Sequence, residues 1–374
     1  MLDLNTFNCT GCTACYNVCP KNAITMEENE EGFKFPKINL DNCTNCGLCE
    51  KICIPKNGYQ KKPFKTVAFG AKNKTLEERK QSQSGGAFFV LAKYVLSKGG
   101  VVYGALIDEG FVVKHARAYT EEQAKTFRGS KYVQSDLGDI FQSVKEDLQL
   151  GVLVLFSGTP CQVAGLKSFL RKDYSNLILM DLICHGVPSP KVWADYIEWQ
   201  QSRFASSITD AKFRDEEYCW GTHYESFLVG NKKKKFDIYA KIFYSHNAHR
   251  ESCYTCPFAN KERLSDITVG DYWGIENVKA GFRDAYGVSA ILINSALGLQ
   301  VWERVKENFD FFECDVKDLL PRNPQLSKPA EKPVTREIFW KDYSRDFEYI
   351  VKKYGGYNLK GKIKILIKRI LGRL

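Results

Sequence analysis

The stretch Cys9-Thr10-Gly11-Cys12-Thr13-Ala14-Cys15-Tyr16-Asn17-Val18-Cys19-Pro20 sets four cysteines at C-x2-C-x2-C-x3-C spacing. The same spacing returns 34 residues later in Cys43, Cys46, Cys49 and Cys53. Eight of the chain's 14 cysteines thus fall within its first 53 residues. Three thiolates this close together wrap one side of a [4Fe–4S] cube, and the fourth comes from elsewhere. Zinc sites favour two separated CxxC pairs over such a triplet, and disulfide frameworks belong to small secreted chains.

The spacing is that of two-cluster bacterial ferredoxins, in which the last cysteine of each run ligates the other cluster. That exchange assigns Cys9, Cys12, Cys15 and Cys53 to one cluster, and Cys19, Cys43, Cys46 and Cys49 to the other. Residues 1–60 read as a two-[4Fe–4S] ferredoxin module, too small in core to stand without its clusters. Lys61 to Lys65, with Pro63 inside, read as a short linker.

A chain of 374 residues, 44% hydrophobic and 26% charged, has ample material for a further globular domain. Met1 to Asn8 carry neither a basic nor an apolar signal region, and no run approaches the roughly 20 apolar residues of a membrane span. The cysteines therefore read as reduced thiolates in a cytoplasmic protein. Net charge is +10, of which six charges sit in the last 15 residues, leaving +4 for the rest. In that tail, residues 360–374, Ile363, Leu366, Ile367, Ile370, Leu371 and Leu374 recur at helical spacing between lysines and arginines. Such a helix can lie on an anionic membrane surface, dock to a partner or pack on its own domain. A second basic run, Lys232 to Lys235, follows Gly230-Asn231 and reads as an exposed hairpin turn. Neither run carries a nucleic-acid-binding pattern, so no nucleic-acid partner is expected.

From Thr66 the pattern becomes α/β with antiparallel additions of α+β type. Thr66–Ala71, Val101–Ile107, Phe111–Ala118, Val152–Phe156 and Leu177–Ile183 read as strands. Further strands are expected at Ile208–Arg214, Glu225–Val229, Phe236–Phe243, Ile267–Val269 and Val288–Asn294. Helices are expected from Ser84, as N-cap, to about Ser97, over Asp136–Leu148, after Pro160, and over Pro188–Phe204. Two apolar strands end in cysteine turns, Ser157-Gly158-Thr159-Pro160-Cys161 and Cys184-His185-Gly186. With the CxxC turn Cys253-Tyr254-Thr255-Cys256, they supply four thiolates, enough for a third cluster. A dithiol, a zinc site or mere space-filling accounts for the same cysteines. Cys219 and Cys314 have no partner pattern and read as structural.

The ordered segments Ser84-Gly85-Gly86, Gly129-Ser130-Lys131-Tyr132, Ser157 to Gln162, Ile183 to Gly186, Cys253 to Cys256 and Asp266 to Gly274 resemble the coenzyme F420 hydrogenase/dehydrogenase β-subunit family. That family includes flavoprotein subunits reducing the deazaflavin coenzyme, and the plant hydroxymethyl-chlorophyll reductase. The resemblance covers about residues 66 to 335. It implies an FAD-binding α/β domain over 61–335 with its own [4Fe–4S] cluster on Cys161, Cys184, Cys253 and Cys256, followed by C-terminal helices over 336–374.

Ser84, Gly85 and Gly86 before a helix form a small phosphate cradle of backbone N–H groups. Lys131 is suited to pair with a phosphate, and Tyr132 to stack on a ring. The resemblance makes these residues, with Ser130, Ser157, Gly158, Thr159, Gln162 and Asp271, the expected FAD contacts, and His185 the candidate proton donor. The expectation is an oxidoreductase exchanging electrons between a ferredoxin-like redox protein and a small organic substrate. The competing reading is an electron-transfer subunit feeding a partner enzyme.

Overall fold

The structure, a computed structural model, describes residues 8–61, 63–215 and 220–357. Cys219 and the amphipathic segment expected over 360–374 lie outside them. Among the described residues no helix is long and apolar enough to cross a membrane.

Eight strands form one mixed sheet in the order Phe309–Cys314, Val67–Asn73, Ser289–Ile293, Ile267–Asp271, Leu177–Leu182, Val154–Gly158, Val101–Ile107 and Val113–Ala118. The four strands from Ile267–Asp271 to Val101–Ile107 run parallel, and antiparallel strands flank them on both sides. The parallel strands are apolar on both faces because helices cover both. Leu155 points into a core with Phe89, Val90 and Trp302, while Val154 and Phe156 point into a second core with Phe141, Val163 and Phe169.

The second core also holds Ala14, Val18 and Ile52 from the N-terminal region. The short Ala14–Val18 helix thus packs on the Pro160–Leu170 helix of the sheet domain. Gly165 permits the contact. A Cβ built there would lie 2.7 Å from Cys12 Cβ and 2.9 Å from its Sγ. An antiparallel pair, Ile24–Glu28 with Lys34–Ile38, completes the N-terminal region.

A three-stranded antiparallel sheet, Ile208–Lys212, Glu225–Val229 and Lys232–Phe236, lies over a third core built on Trp193, Tyr196 and Tyr239. The Arg336–Tyr343 and Phe347–Lys353 helices add Phe339, Ile350 and Val351 to that core.

Two expectations are corrected in this region. Lys232 to Lys235 are not a turn but a strand, paired with Glu225–Val229 around Gly230-Asn231. The strand expected over Phe236–Phe243 ends at Phe236, and Ile238–Tyr244 is a helix. The fully buried Glu225 carboxylate explains the switch. It accepts the N–H groups of Ile238 and Tyr239 at 2.8 Å each, satisfying the helix's orphan donors from outside. Ser84 is also not the N-cap of its helix. That place falls to Gly86, in left-handed conformation, and the helix runs Ala87–Ser97. Ser84 turns its hydroxyl to the Val288 carbonyl at 2.6 Å.

Replacing Gly165 by alanine is expected to destabilise the protein by about 1–3 kcal/mol through overpacking against Cys12, although alanine is the better helix former. Denaturant midpoints of the two proteins check it; an unchanged or higher midpoint would contradict the packing.

Candidate functional site

The carboxyl ends of the parallel strands gather the chemistry, as is usual for such sheets. Val154–Gly158 leads into Thr159 and the Pro160–Leu170 helix, which Pro160 begins in its first turn. Gln162 Oε1 accepts the Thr159 N–H at 2.9 Å, so the Thr-Pro-Cys-Gln sequence is a capping box that fixes Cys161 at the helix start. Leu177–Leu182 delivers Cys184, and a 3-10 turn, Glu251–Cys253, delivers the CxxC pair.

Three cavities, measured as all the space between atoms with the open side included, are each lined by four cysteines. The first, about 370 Å³, has Cys9, Cys12, Cys15 and Cys53 in its wall. A second, about 460 Å³, has Cys19, Cys43, Cys46 and Cys49. These are the two sets expected from the exchange of fourth cysteines. The third, about 520 Å³, has Cys161, Cys184, Cys253 and Cys256. Among the described residues no three His, Cys, Asp or Glu side chains close on a single-ion site. The thiols ring cavities instead, an arrangement suited to a cube with sulfur at its outer corners.

The first and second cavities meet at the Ala14–Val18 helix, which carries Cys15 of the one and is followed by Cys19 of the other. Thr10 lines both the first and the third, and Cys12 abuts the helix that Cys161 begins. Cys184, Gly186 and Val187 line both the third cavity and a much larger one. At the other end of the row Cys46 is exposed. Burial pushes the thiols of Cys161 and Cys253 up to about 12, and those of Cys12 and Cys53 to about 11. A metal centre bound by these thiols would have to expel their protons.

Hydrogen bonds and cations face the sulfurs. Cys253 Sγ accepts the Val187 N–H at 3.4 Å, and Thr159 Oγ1 stands 3.2 Å from Cys161 Sγ. Arg250 and Arg263, both buried, line the third cavity.

The large cavity encloses about 1500 Å³ of space between atoms, its open mouth included. Ser84, Gly86, Ser130, Lys131, Tyr132, Ser157, Gly158, Thr159, Gln162, His185 and Asp271 all line it. Gly85 does not. It sits against the sheet, where a Cβ would come within 2.1 Å of the Ala71 carbonyl oxygen. The Ala87–Ser97 helix points its amino end at the cavity, and no side chain caps it. Free N–H groups at a positive helix end suit a phosphate.

Other lining groups are already engaged. Lys131 Nζ donates to the Arg128 and Thr126 carbonyls at 2.8 and 3.2 Å. Tyr132 stacks on Phe243, with ring centres 4.4 Å apart. Burial drives the Asp271 carboxyl up, but Arg214 Nη1 and the Trp220 indole N–H, each at 2.8 Å, outweigh it and hold Asp271 below the usual range. Burial pulls His185 down, so its imidazole is neutral near pH 7.

His115, Arg214 and Arg250 escape a reading of the sequence, since each lies in a run with no motif. His115 Nε2–H donates to the Ser157 carbonyl at 3.0 Å, and its Nδ1 accepts from Ser135 Oγ at 3.0 Å. Ser135 in turn accepts from Gln162 Nε2 at 2.9 Å, tying the cavity wall to the capping box.

Residues 152–317 match the family described as the C terminus of the beta subunit of coenzyme F420 hydrogenase/dehydrogenase, and residues 8–57 match the 4Fe-4S dicluster domain. Among solved structures, the chain is similar to one from the xenon-derivatised F420-reducing [NiFe] hydrogenase complex of Methanosarcina barkeri. Identity is 18% and the TM-score 0.48, over 77% of this chain and 95% of that one. No curated protein matches the chain.

Burial pulls the His115 pKa down to about 4, against about 6.5 unfolded. The unfolded chain then binds more protons between those values, so stability falls as pH drops through that window and levels off below it. His115→Gln is expected to flatten that decline by up to about 3 kcal/mol. Denaturant titrations of both proteins at pH 6.5, 5.5 and 4.5 compare the slopes; parallel curves would refute the role.

Proposed function

We propose a function for a chain that belongs by residues 152–317 to the coenzyme F420 hydrogenase/dehydrogenase beta-subunit family, and by residues 8–57 to the 4Fe-4S dicluster domains. It is an iron–sulfur flavoprotein oxidoreductase that passes electrons between a redox protein and a small organic substrate. The observation carrying this reading is the placement of the three four-cysteine cavities, the third sharing Thr10 with the first and Cys184 with the large cavity. Three four-cysteine sets lead from exposed Cys46 to Cys184, whose side of the third cavity is also a wall of the large one.

In this reading the third set, Cys161, Cys184, Cys253 and Cys256, holds a [4Fe–4S] cluster beside the two of the dicluster domain. The large cavity holds FAD, which supplies the conversion between one-electron and two-electron chemistry. The amino end of the Ala87–Ser97 helix, Ser130 and Lys131 would hold its phosphates, and Lys131 would exchange its carbonyl partners for them. Arg214 fixes Asp271 as a carboxylate at the wall, available to accept a hydrogen bond. His185, neutral and next to Cys184, offers an N–H at the seam between the cavities.

Metal and flavin counts on anaerobically purified chain test the reading. About twelve irons, four for each cube, and one FAD per chain are expected. Cys184→Ser should retain about eight irons. A wild-type chain with eight irons and no flavin would reject both the third cluster and the flavin. Turnover of an organic acceptor by the isolated chain with an artificial donor separates this reading from an electron-transfer subunit lacking its own substrate site.

A further inference from the structure

Five arginines are buried among the described residues: Arg79, Arg214, Arg250, Arg263 and Arg336. Four pair with a carboxylate, namely Arg79 with Asp284, Arg214 with Asp271, Arg263 with Asp181 and Arg336 with Glu31. Arg250, only 1% exposed, does not. Its Nε donates to the Cys9 carbonyl at 2.7 Å, Nη1 to Gln134 Oε1 at 3.1 Å and Nη2 to the Lys34 carbonyl at 3.0 Å. The Phe35 ring lies 4.2 Å from the guanidinium. All these partners are neutral. A buried, unpaired cation is costly unless an anion stands nearby.

The position of Arg250 says what that anion is. It lines the third cavity, three residues before Cys253, and grips the backbone of Cys9 on the first. Two all-thiolate clusters, each a net anion, would flank it. We infer that Arg250 sets the reduction potentials of the two inner clusters, raising both relative to the outer cluster held by Cys19, Cys43, Cys46 and Cys49. This rests on the cluster assignment proposed above.

The physics is electrostatic. A fixed positive charge in a low-dielectric site favours the form carrying the added electron, on either side of it. Among the described residues no side chain does the same for the outer set. Lys21 is the one charged side chain of these lining that cavity; it is exposed, and water and salt screen it. Arg263 lines only the third cavity and shares its charge with Asp181 at 3.8 Å. An electron from a one-electron donor protein docking near Cys46 would thus find lower energy toward the large cavity. Arg250 is a positioning and tuning residue, not a catalytic one.

The test is a potentiometric titration of the full chain followed by EPR, after iron counting, on wild type and Arg250→Gln, Arg250→Lys and Gln134→Glu. In Arg250→Gln the reduced-to-oxidised ratio of both inner clusters at fixed potential is expected to fall at least tenfold, a shift of 59 mV for one electron. The outer cluster should stay put. Arg250→Lys should recover most of the loss. Gln134→Glu, which puts a carboxylate against the guanidinium without removing it, should lower the same two potentials even if Arg250→Gln fails to fold. Twelve irons with inner potentials unmoved in Gln134→Glu, or with all three moving together, would overturn the inference alone. Eight irons in wild type would remove the cluster reading and this inference with it.

Discussion

Everything in this molecule depends on one contact, Cys12 laid against the bare α-carbon of Gly165. Electrons tunnel only over short gaps, so a relay needs its stations packed close and held still. The chain meets that demand with a continuous apolar core. Ala14, Val18 and Ile52 share a core with Leu166 and Phe169, and through them the Ala14–Val18 helix is fixed on the helix that Cys161 begins. Buried apolar area of this kind is stiff because protein interiors are packed like crystals. The contact therefore sets a position as well as a stability.

Around that contact the polar groups are arranged to tolerate buried sulfur. Burial holds the thiols of Cys161 and Cys253 protonated, while the Val187 N–H on Cys253 and the Thr159 hydroxyl near Cys161 favour the thiolate. The large cavity follows the opposite rule. Its lining cations are Arg128 and Lys131, the latter resting on carbonyls, while Arg214 behind the wall neutralises Asp271. One cavity is built for soft anionic sulfur, and the other offers an uncapped helix end and polar walls.

Much of this is legible in the sequence. The spacing of Cys9 to Cys19 and Cys43 to Cys53 sorts eight cysteines into two sets, and the cavities sort them the same way. Apolar runs ending in Cys161 and Cys184 locate the carboxyl edge of the parallel strands, because a doubly buried strand leaves an unbroken apolar run that is visible without context. What stays hidden depends on distant partners. Asp237 holds the N-cap place before Ile238 without a side-chain cap bond, and the N–H groups it leaves are taken by Glu225, supplied by another strand. Ser84 looks like a cap because serine usually is one, yet tertiary contact with Val288 claims its hydroxyl. Arg250 is invisible for the same reason: its meaning lies in Cys9, Lys34 and Gln134, more than a hundred residues away.

The glycine at 165 also bears on modularity. Ferredoxin-type sequences are often pictured as beads that evolution strings onto unrelated enzymes. Here the bead has no surface of its own on one side, since part of its core is borrowed from the Pro160–Leu170 helix. A foreign ferredoxin grafted in its place would have to present a cysteine loop shaped to a helix lacking one side chain. Interchangeability has been given up at a single α-carbon, and the two halves of this chain are bound to change together.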